Sequence, residues 1–272
     1  MNSCTIDNDG VGLNCTVVGS GPPIIMLHGI PDFSGGWHYQ IDALSASHKL
    51  IIPDLRGFNA SDKPGQRGDY LMATLVSDVA AIIDHFEFGK VGLIGHDMGG
   101  AIAWWAAIML SGHIDRLAVL SAPHPVPYLA SLRAGGEHLQ RMMRYVEAYL
   151  EMARSGGLNA GQLSSWVEDY DLRQRLQQAL EQTDASAVVS YYLANQEATQ
   201  SLQLDSIPKI QCPTMAIRGQ NDQYVAPGLF DAIWKHVDAE TCTVCLPHAG
   251  HFIHHQAAAT VNRHLKNWFA IE

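Results

Sequence analysis

The stretch Val91-Gly92-Leu93-Ile94-Gly95-His96-Asp97-Met98-Gly99-Gly100 decides the fold. Its first half is a continuous apolar run, as expected for a strand covered on both faces. It ends in G-x-D-x-G and passes directly into Ala101 to Leu110, an apolar segment that predicts a helix. A strand that turns so tightly into a helix needs small residues beside the bend. Gly95 and Gly99 leave room for neighbouring backbone, so the side chain of residue 97 projects above the sheet. The positive end of the helix favours a carboxylate there. The spacing is that of a nucleophile elbow, G-x-S-x-G, with Asp in place of Ser. The plainer alternative is an ordinary strand–helix turn with an N-capping Asp.

Outward from this stretch the pattern alternates. Two β-like runs lie between Cys4 and Val18 around the hairpin signal Asn8-Asp9-Gly10. Pro23 to Leu27, Leu50 to Pro53 and Leu117 to Leu120 are short buried-strand runs. Leu75, Val79, Ile82, Ile83 and Phe86 recur at helical spacing between them. Strands alternating with helices predict an α/β class with a mostly parallel sheet. From Pro123 to about Pro208 no buried strand is expected, and Leu139, Met142, Met143, Val146 and Leu150 mark helix. Strands resume at Thr214 to Ile217 and Thr241 to Leu246, and a last helix is expected from Ala257 to Phe269. The expected organisation is a core of residues 1–122 and 209–272 split by a helical cap at 123–208.

Composition narrows the partners. The 272 residues are 47% hydrophobic and 16% charged, enough apolar material for a core without disulfide or metal staples. Lys and Arg number 17 against 27 Asp and Glu, a net charge of −10. That balance argues against binding to nucleic-acid phosphates or to an anionic membrane surface. No apolar run reaches the roughly 20 residues of a membrane span. The N-terminal stretch lacks a basic start and an apolar core, so no secretory signal is expected. Five scattered cysteines suit reduced thiols, and a cytoplasmic location is expected. Cys242 and Cys245 form a CxxC, but inside Thr-Cys-Thr-Val-Cys-Leu, which reads as a buried strand.

Four further stretches accompany the elbow: His28-Gly29-Ile30-Pro31; Asp54-Leu55-Arg56-Gly57 continued by Ser61-Asp62-Lys63-Pro64; Gly219-Gln220-Asn221-Asp222; and Gly250-His251-Phe252. Together they resemble the α/β-hydrolase superfamily in its Asp-nucleophile branch, the epoxide hydrolases and the haloalkane and haloacetate dehalogenases. The resemblance runs from residue 28 to 252 and implies an α/β-hydrolase fold with an inserted helical cap. It implies a catalytic triad of Asp97, Asp222 and His251 in the chain order of that fold. It also implies an oxyanion site built from the backbone N–H groups of Ile30 and Met98. A cis bond before Pro31 would point Ile30 inward. No cofactor is implied, since nucleophile, acid and base are all side chains.

The leaving group separates the branches. An epoxide leaves as an alkoxide and needs a general acid. Ser190-Tyr191-Tyr192-Leu193-Ala194-Asn195 and Arg144-Tyr145-Val146-Glu147-Ala148-Tyr149 resemble the epoxide hydrolases' two cap stretches. They put Tyr192 and Tyr145 at the acid positions, with Tyr149 as a substitute. Pro31, Tyr191, Tyr149 and Phe252 are pocket candidates. Haloalkane dehalogenases place a Trp after the nucleophile, where this chain has Met98, and no Arg lies between Asp97 and Ala107 to hold a haloacetate. Trp104 and Trp105 read as helix core. Ile30 and Met98 depart from the family's usual aromatic residues, Leu193 from an Arg, and Gln256 with Ala258 from a Glu-x-Pro stretch, which suggests an altered pocket.

The expected function is hydrolysis of an epoxide, the partner a small apolar substrate plus water. The alternatives are a dehalogenase using the same triad and a hydrolase-fold ligand sensor with little turnover; the oligomeric state is open. The run His248, His251, His254 and His255 is not a standard zinc pattern. A turn leading into a helix is expected to splay these rings, so no metal is expected. His28, His96 and His124 read as structural.

Overall fold

Asp9 and Gly10 both take positive φ, 52° and 82°, the backbone of a two-residue hairpin turn. The turn joins β1 (Asn2–Asn8) to β2 (Val11–Val18), and Asn8 faces Val11 across the pair. The computed structural model describes residues 2–270, side chains at 137, 138, 197 and 198 excepted. The other strands are β3 (Pro23–Leu27), β4 (Lys49–Pro53), β5 (Val91–His96), β6 (Ile114–Leu120), β7 (Thr214–Gly219) and β8 (Thr241–Leu246). They form one sheet in the order β1-β2-β4-β3-β5-β6-β7-β8. β1, β2 and β4 pair antiparallel, and every later pairing is parallel.

Strand side chains alternate between the faces, and the core divides accordingly. Ile25, Leu27, Leu93, Leu117 and Val119 enter one apolar cluster, with Leu75, Val79, Ile102 and Trp104 from α2 (Met72–His85) and α3 (Asp97–Met109). Ile24, Met26, Ile94, Ala118 and Leu120 enter another, with Ile41 from α1 (His38–Leu44) and Val261 and Leu265 from α10 (Ala258–Trp268). Each fully buried Leu or Ile contributes about 1.5–3 kcal/mol. The central strands β3 and β5 are buried at nearly every position because both faces are covered. β8 differs. It is an edge strand, with Cys242 half-buried and Cys245 exposed, so its reading as a buried strand is corrected.

Between β6 and β7 lie α4 (Pro125–Ala134), α5 (Glu137–Arg154), α6 (Ala160–Leu163), α7 (Tyr170–Glu181) and α8 (Ala185–Gln200). Asn159, Asp169 and Asp184 cap the last three through their side chains. Polar bonds fasten α8 to the stretch after β4. The Asn195 side chain accepts the Met72 N–H at 2.7 Å and donates to the Tyr70 carbonyl at 3.0 Å. Arg56, buried and paired with Asp78, offers its carbonyl to the Tyr191 hydroxyl at 2.9 Å. The expected last helix is two pieces, α9 (Ile253–Gln256) and α10, because Ala257 leaves helical geometry at φ −131°. Among the described residues, no helix is long and apolar enough to cross a membrane.

Candidate active site

β5 hands over to α3 at Asp97, which takes φ +50°, a left-handed conformation disfavoured for a side chain with a Cβ. Neighbouring glycines make the bend possible. A Cβ on Gly95 would come within 2.3 Å of the Gly99 carbonyl, and one on Gly99 within 2.3 Å of the Leu27 carbonyl. On Gly29 it would meet the Asp97 Cβ at 2.6 Å. These contacts lie far inside van der Waals distance, so glycine is required. Asp97 stands at the C-terminal edge of the parallel strands, where this class of sheet places ligand sites.

Three loops converge on its carboxylate. After β3, the Ile30 N–H donates to Asp97 Oδ1 at 2.9 Å; the Ile30–Pro31 bond is cis. After β8, His251 Nε2 lies 3.2 Å from Asp97 Oδ2. After β7, Asp222 Oδ2 lies 2.9 Å from His251 Nδ1. The Asp222 Oδ1 accepts the N–H groups of Tyr224 at 2.8 Å and Val225 at 3.0 Å. The His251 carbonyl accepts from Ser121 Oγ at 2.7 Å and from His96 Nε2 at 3.1 Å. The fold thus brings Asp97, Asp222, His251 and the Ile30 amide together. Met98 is the second residue of α3 and borders the same cavity.

Electrostatics follow from this packing. Burial pulls the His251 ring down, yet its hydrogen bonds to Asp222 and Asp97 outweigh that and raise it to about 9. Burial alone would raise both carboxyls, but the bonds and charge of His251 hold Asp97 and Asp222 below the usual carboxylate range. The resting site is an imidazolium between two carboxylates. His96, fully buried, is lowered by burial to about 4 and stays neutral.

A cavity of about 780 Å³ opens above Asp97. Tyr145 and Tyr149 from α5 and Tyr192 from α8 border it. The rings of Tyr145 and Tyr192 meet edge to face at 5.6 Å, and Tyr149 stacks on Tyr192 at 6.4 Å. Among the described residues, none of these three hydroxyls has a hydrogen-bond partner. Burial, reinforced by the charge of Asp97, holds each phenol above its ordinary value, so all three remain proton donors. Tyr191 borders the cavity with its ring only, since its hydroxyl is bonded to Arg56. Pro31 and Phe252 also line the cavity.

Several lining residues escaped the sequence reading. Tyr128 on α4 and Tyr224 border the cavity, the latter with its ring 4.9 Å from His251. Tyr224 lies two residues after Asp222, a usable signal; Tyr128 had none. Trp105, expected in the core, lines the cavity, whereas Trp104 is buried and donates to the Ala122 carbonyl at 3.1 Å. Trp166 stacks on Phe252 at 3.7 Å. Gln256, in place of the family's Glu, accepts the Gly250 N–H at 2.8 Å and steadies the histidine loop. The expected splaying of the four histidines is corrected in part. His248 is exposed and His251 faces Asp97, but His254 and His255 both turn toward buried Asp32.

Comparisons with known proteins bear on this arrangement. A family profile described as alpha/beta hydrolase fold matches residues 22–258. The Bacillus subtilis "AB hydrolase superfamily protein YfhM" is 39% identical over 123 residues, 44% of this chain and 43% of that protein. Human "Epoxide hydrolase 4" is 38% identical over 104 residues, 38% of this chain and 29% of that protein. The matched segments thus span less than half of either relative. An epoxide hydrolase from Bacillus megaterium, crystallised with an inhibitor, superposes with a TM-score of 0.87. It is 25% identical, over 98% of this chain and 100% of that one.

Proposed function

Because the chain belongs to the α/β-hydrolase fold family and stands close to its epoxide hydrolases, we propose that it opens an epoxide to a vicinal diol through a covalent ester on Asp97. The observation that carries this reading is the pair of unbonded phenols, Tyr145 and Tyr192, over a carboxylate held by the Ile30 amide and His251. Residues 123–208 serve as the cap that brings those phenols over a core of 1–122 and 209–272.

The first step needs no base, because Asp97 is ionised at neutral pH. A carboxylate oxygen attacks one epoxide carbon and the C–O bond breaks. The departing oxygen takes its proton from Tyr192 or Tyr145, which removes the penalty of expelling an alkoxide. Ester formation neutralises Asp97. Two of the interactions that raise His251 vanish with that charge, so the imidazolium gives up its proton, which restores the tyrosinate to a phenol, and the neutral ring becomes a base. It takes a proton from water, whose oxygen attacks the ester carbonyl carbon. The amides of Ile30 and Met98 stabilise the resulting oxyanion. On collapse the remaining hydroxyl proton of the tetrahedral centre passes to the departing oxygen, which frees the diol and leaves Asp97 a carboxylate with one water-derived oxygen. Asp222 holds the His251 ring in orientation throughout and stabilises its charged form.

Carbon–halogen cleavage would use the same first attack but needs donors for a halide. Trp166 lines the cavity, yet its Nε1 is sealed from solvent and lacks a partner, so that N–H does not face the substrate space. Arg133 is the one Arg or Lys among the described lining residues, and its guanidinium donates to the Thr199 and Leu202 carbonyls. Neither makes a halide or carboxylate clamp. A panel of epoxides, haloalkanes and haloacetates read for diol and halide separates an epoxide hydrolase, a dehalogenase and a non-turning-over sensor. The step itself is tested with His251→Gln, which should accumulate an intact-mass adduct of protein plus epoxide. No adduct with a turned-over epoxide refutes the covalent route.

A further inference from the structure

Asp32 lies two residues beyond Ile30 and is 2% exposed. Its Oδ1 accepts the Phe33 N–H at 2.9 Å. Its Oδ2 is hydrogen-bonded to His254 Nε2 at 3.2 Å and lies 4.0 Å from His255 Nε2, both imidazoles coming from α9. One donor atom from each of the three residues lies within 4.8 Å of the other two. The His255 distance is too long for a hydrogen bond, and among the described residues this buried nitrogen has no hydrogen-bond partner. His254 Nδ1, His38 Nδ1 and Trp37 Nε1 are likewise buried without partners. Native interiors seldom leave so many polar atoms unsatisfied in one place. The Gly36 backbone lies close against the carboxylate, where a Cβ would come within 2.3 Å of Asp32 Oδ1.

We propose that Asp32, His254 and His255 form a site for a divalent transition metal, with Zn2+ the best match. Two imidazoles and one carboxylate are its usual ligands, with bonds of about 2.0–2.2 Å and a fourth position left for water. Tetrahedral bonds of that length set donor atoms about 3.3–3.5 Å apart. The two carboxylate–imidazole distances, 3.2 and 4.0 Å, bracket this spacing, and the two imidazole nitrogens lie within 4.8 Å of each other. Hard cations such as Mg2+ or Ca2+ call for more oxygen ligands than Asp32 supplies. None of the three residues lines the substrate cavity, so the ion would act on structure. It would tie the loop that carries the Ile30 amide to the segment that follows His251. The His96 ring packs against His254 at 4.2 Å and against His251 at 5.1 Å, which couples the site to the triad.

The test uses the whole chain, stripped with a chelator and titrated with Zn2+ alone and with Co2+ alone. One Zn2+ should bind per chain, the melting temperature should rise with its concentration, and Co2+ should give the intense visible bands of a four-coordinate site. His255→Gln and His254→Gln should each weaken binding at least tenfold, while His251→Gln binds as the wild type does. Absence of stoichiometric binding to the wild type overturns the proposal. So does binding that survives both α9 substitutions, or binding abolished only by His251→Gln, which would put the ion on the triad. The cobalt spectrum is read on the unaltered chain, so a variant that fails to fold leaves the test intact.

Discussion

Tyr191 and Tyr192 are adjacent in sequence, and their hydroxyls go to different places. One helical step rotates the side chain by about 100°. Tyr191 donates to the buried Arg56 carbonyl, whereas Tyr192 opens into the cavity. The two therefore predict opposite outcomes. Tyr192→Phe should lower epoxide turnover by roughly 100-fold, the usual size of a lost general acid, with little change in melting temperature. A loss of only a few fold would move the acid to Tyr145 or Tyr149. Tyr191→Phe removes one buried hydrogen bond and should cost about 1 kcal/mol of stability, read from denaturant midpoints, with turnover per folded molecule kept. Asp54 shows the same lesson for a motif residue. Both of its oxygens are taken up by structural bonds, from Ser34 N–H on one and from Asn14 and Asn59 side chains on the other.

At the level of elements, the turn from β5 to α3 works because glycine backbones lie against one another. Gly95→Ala would drive a methyl into the Gly99 carbonyl, 2.3 Å away, and the rigid neighbours cannot yield. A destabilisation of about 1–3 kcal/mol or more is expected. Turnover should fall with it, since Asp97 can no longer keep its place. Urea unfolding and soluble yield would show this, and a variant as stable and active as the parent would contradict the packing described. Here the sequence was a sufficient guide, because the steric demand is local. β8 departs from the expected burial for the opposite reason. Its apolar pattern, Cys242, Val244 and Leu246, looks the same whether a further strand lies beyond it or not, and only the strand order makes it an edge.

For the whole molecule, pH acts through buried histidines of opposite sign. His124 caps α4, stacks on His236 at 4.5 Å and is lowered to about 3 by burial first and by His236 second. The unfolded chain takes up that proton first, so this residue's share of stability falls as pH drops from about 6.5 toward 3. The slope is about 1.4 kcal/mol per pH unit for one proton. His124→Asn keeps a capping acceptor and should flatten the acid side of a stability–pH curve. His251 is raised to about 9. Its contribution is full below the unfolded value near 6.5 and is lost as pH rises through 9. His251→Gln should therefore flatten the alkaline side; an unchanged curve in both variants would refute the assignment.

By itself the sequence determined the class of sheet, the strands that flank the elbow and the order in which Asp97, Asp222 and His251 occur. Those features rest on short-range patterns, apolar runs covered on both faces and glycines where backbones touch. Tertiary structure alone decided which aromatic groups face the cavity. Tyr128, Trp105 and Trp166 line it from three separate helical or loop segments, and nothing in their local sequence distinguishes lining from core. It also decided that His254 and His255 meet Asp32, 222 residues away along the chain for His254. The physical reason is the same in both cases. A helix or loop specifies its own periodicity, but what its side chains meet depends on elements brought alongside only when the sheet and the helices above it have assembled.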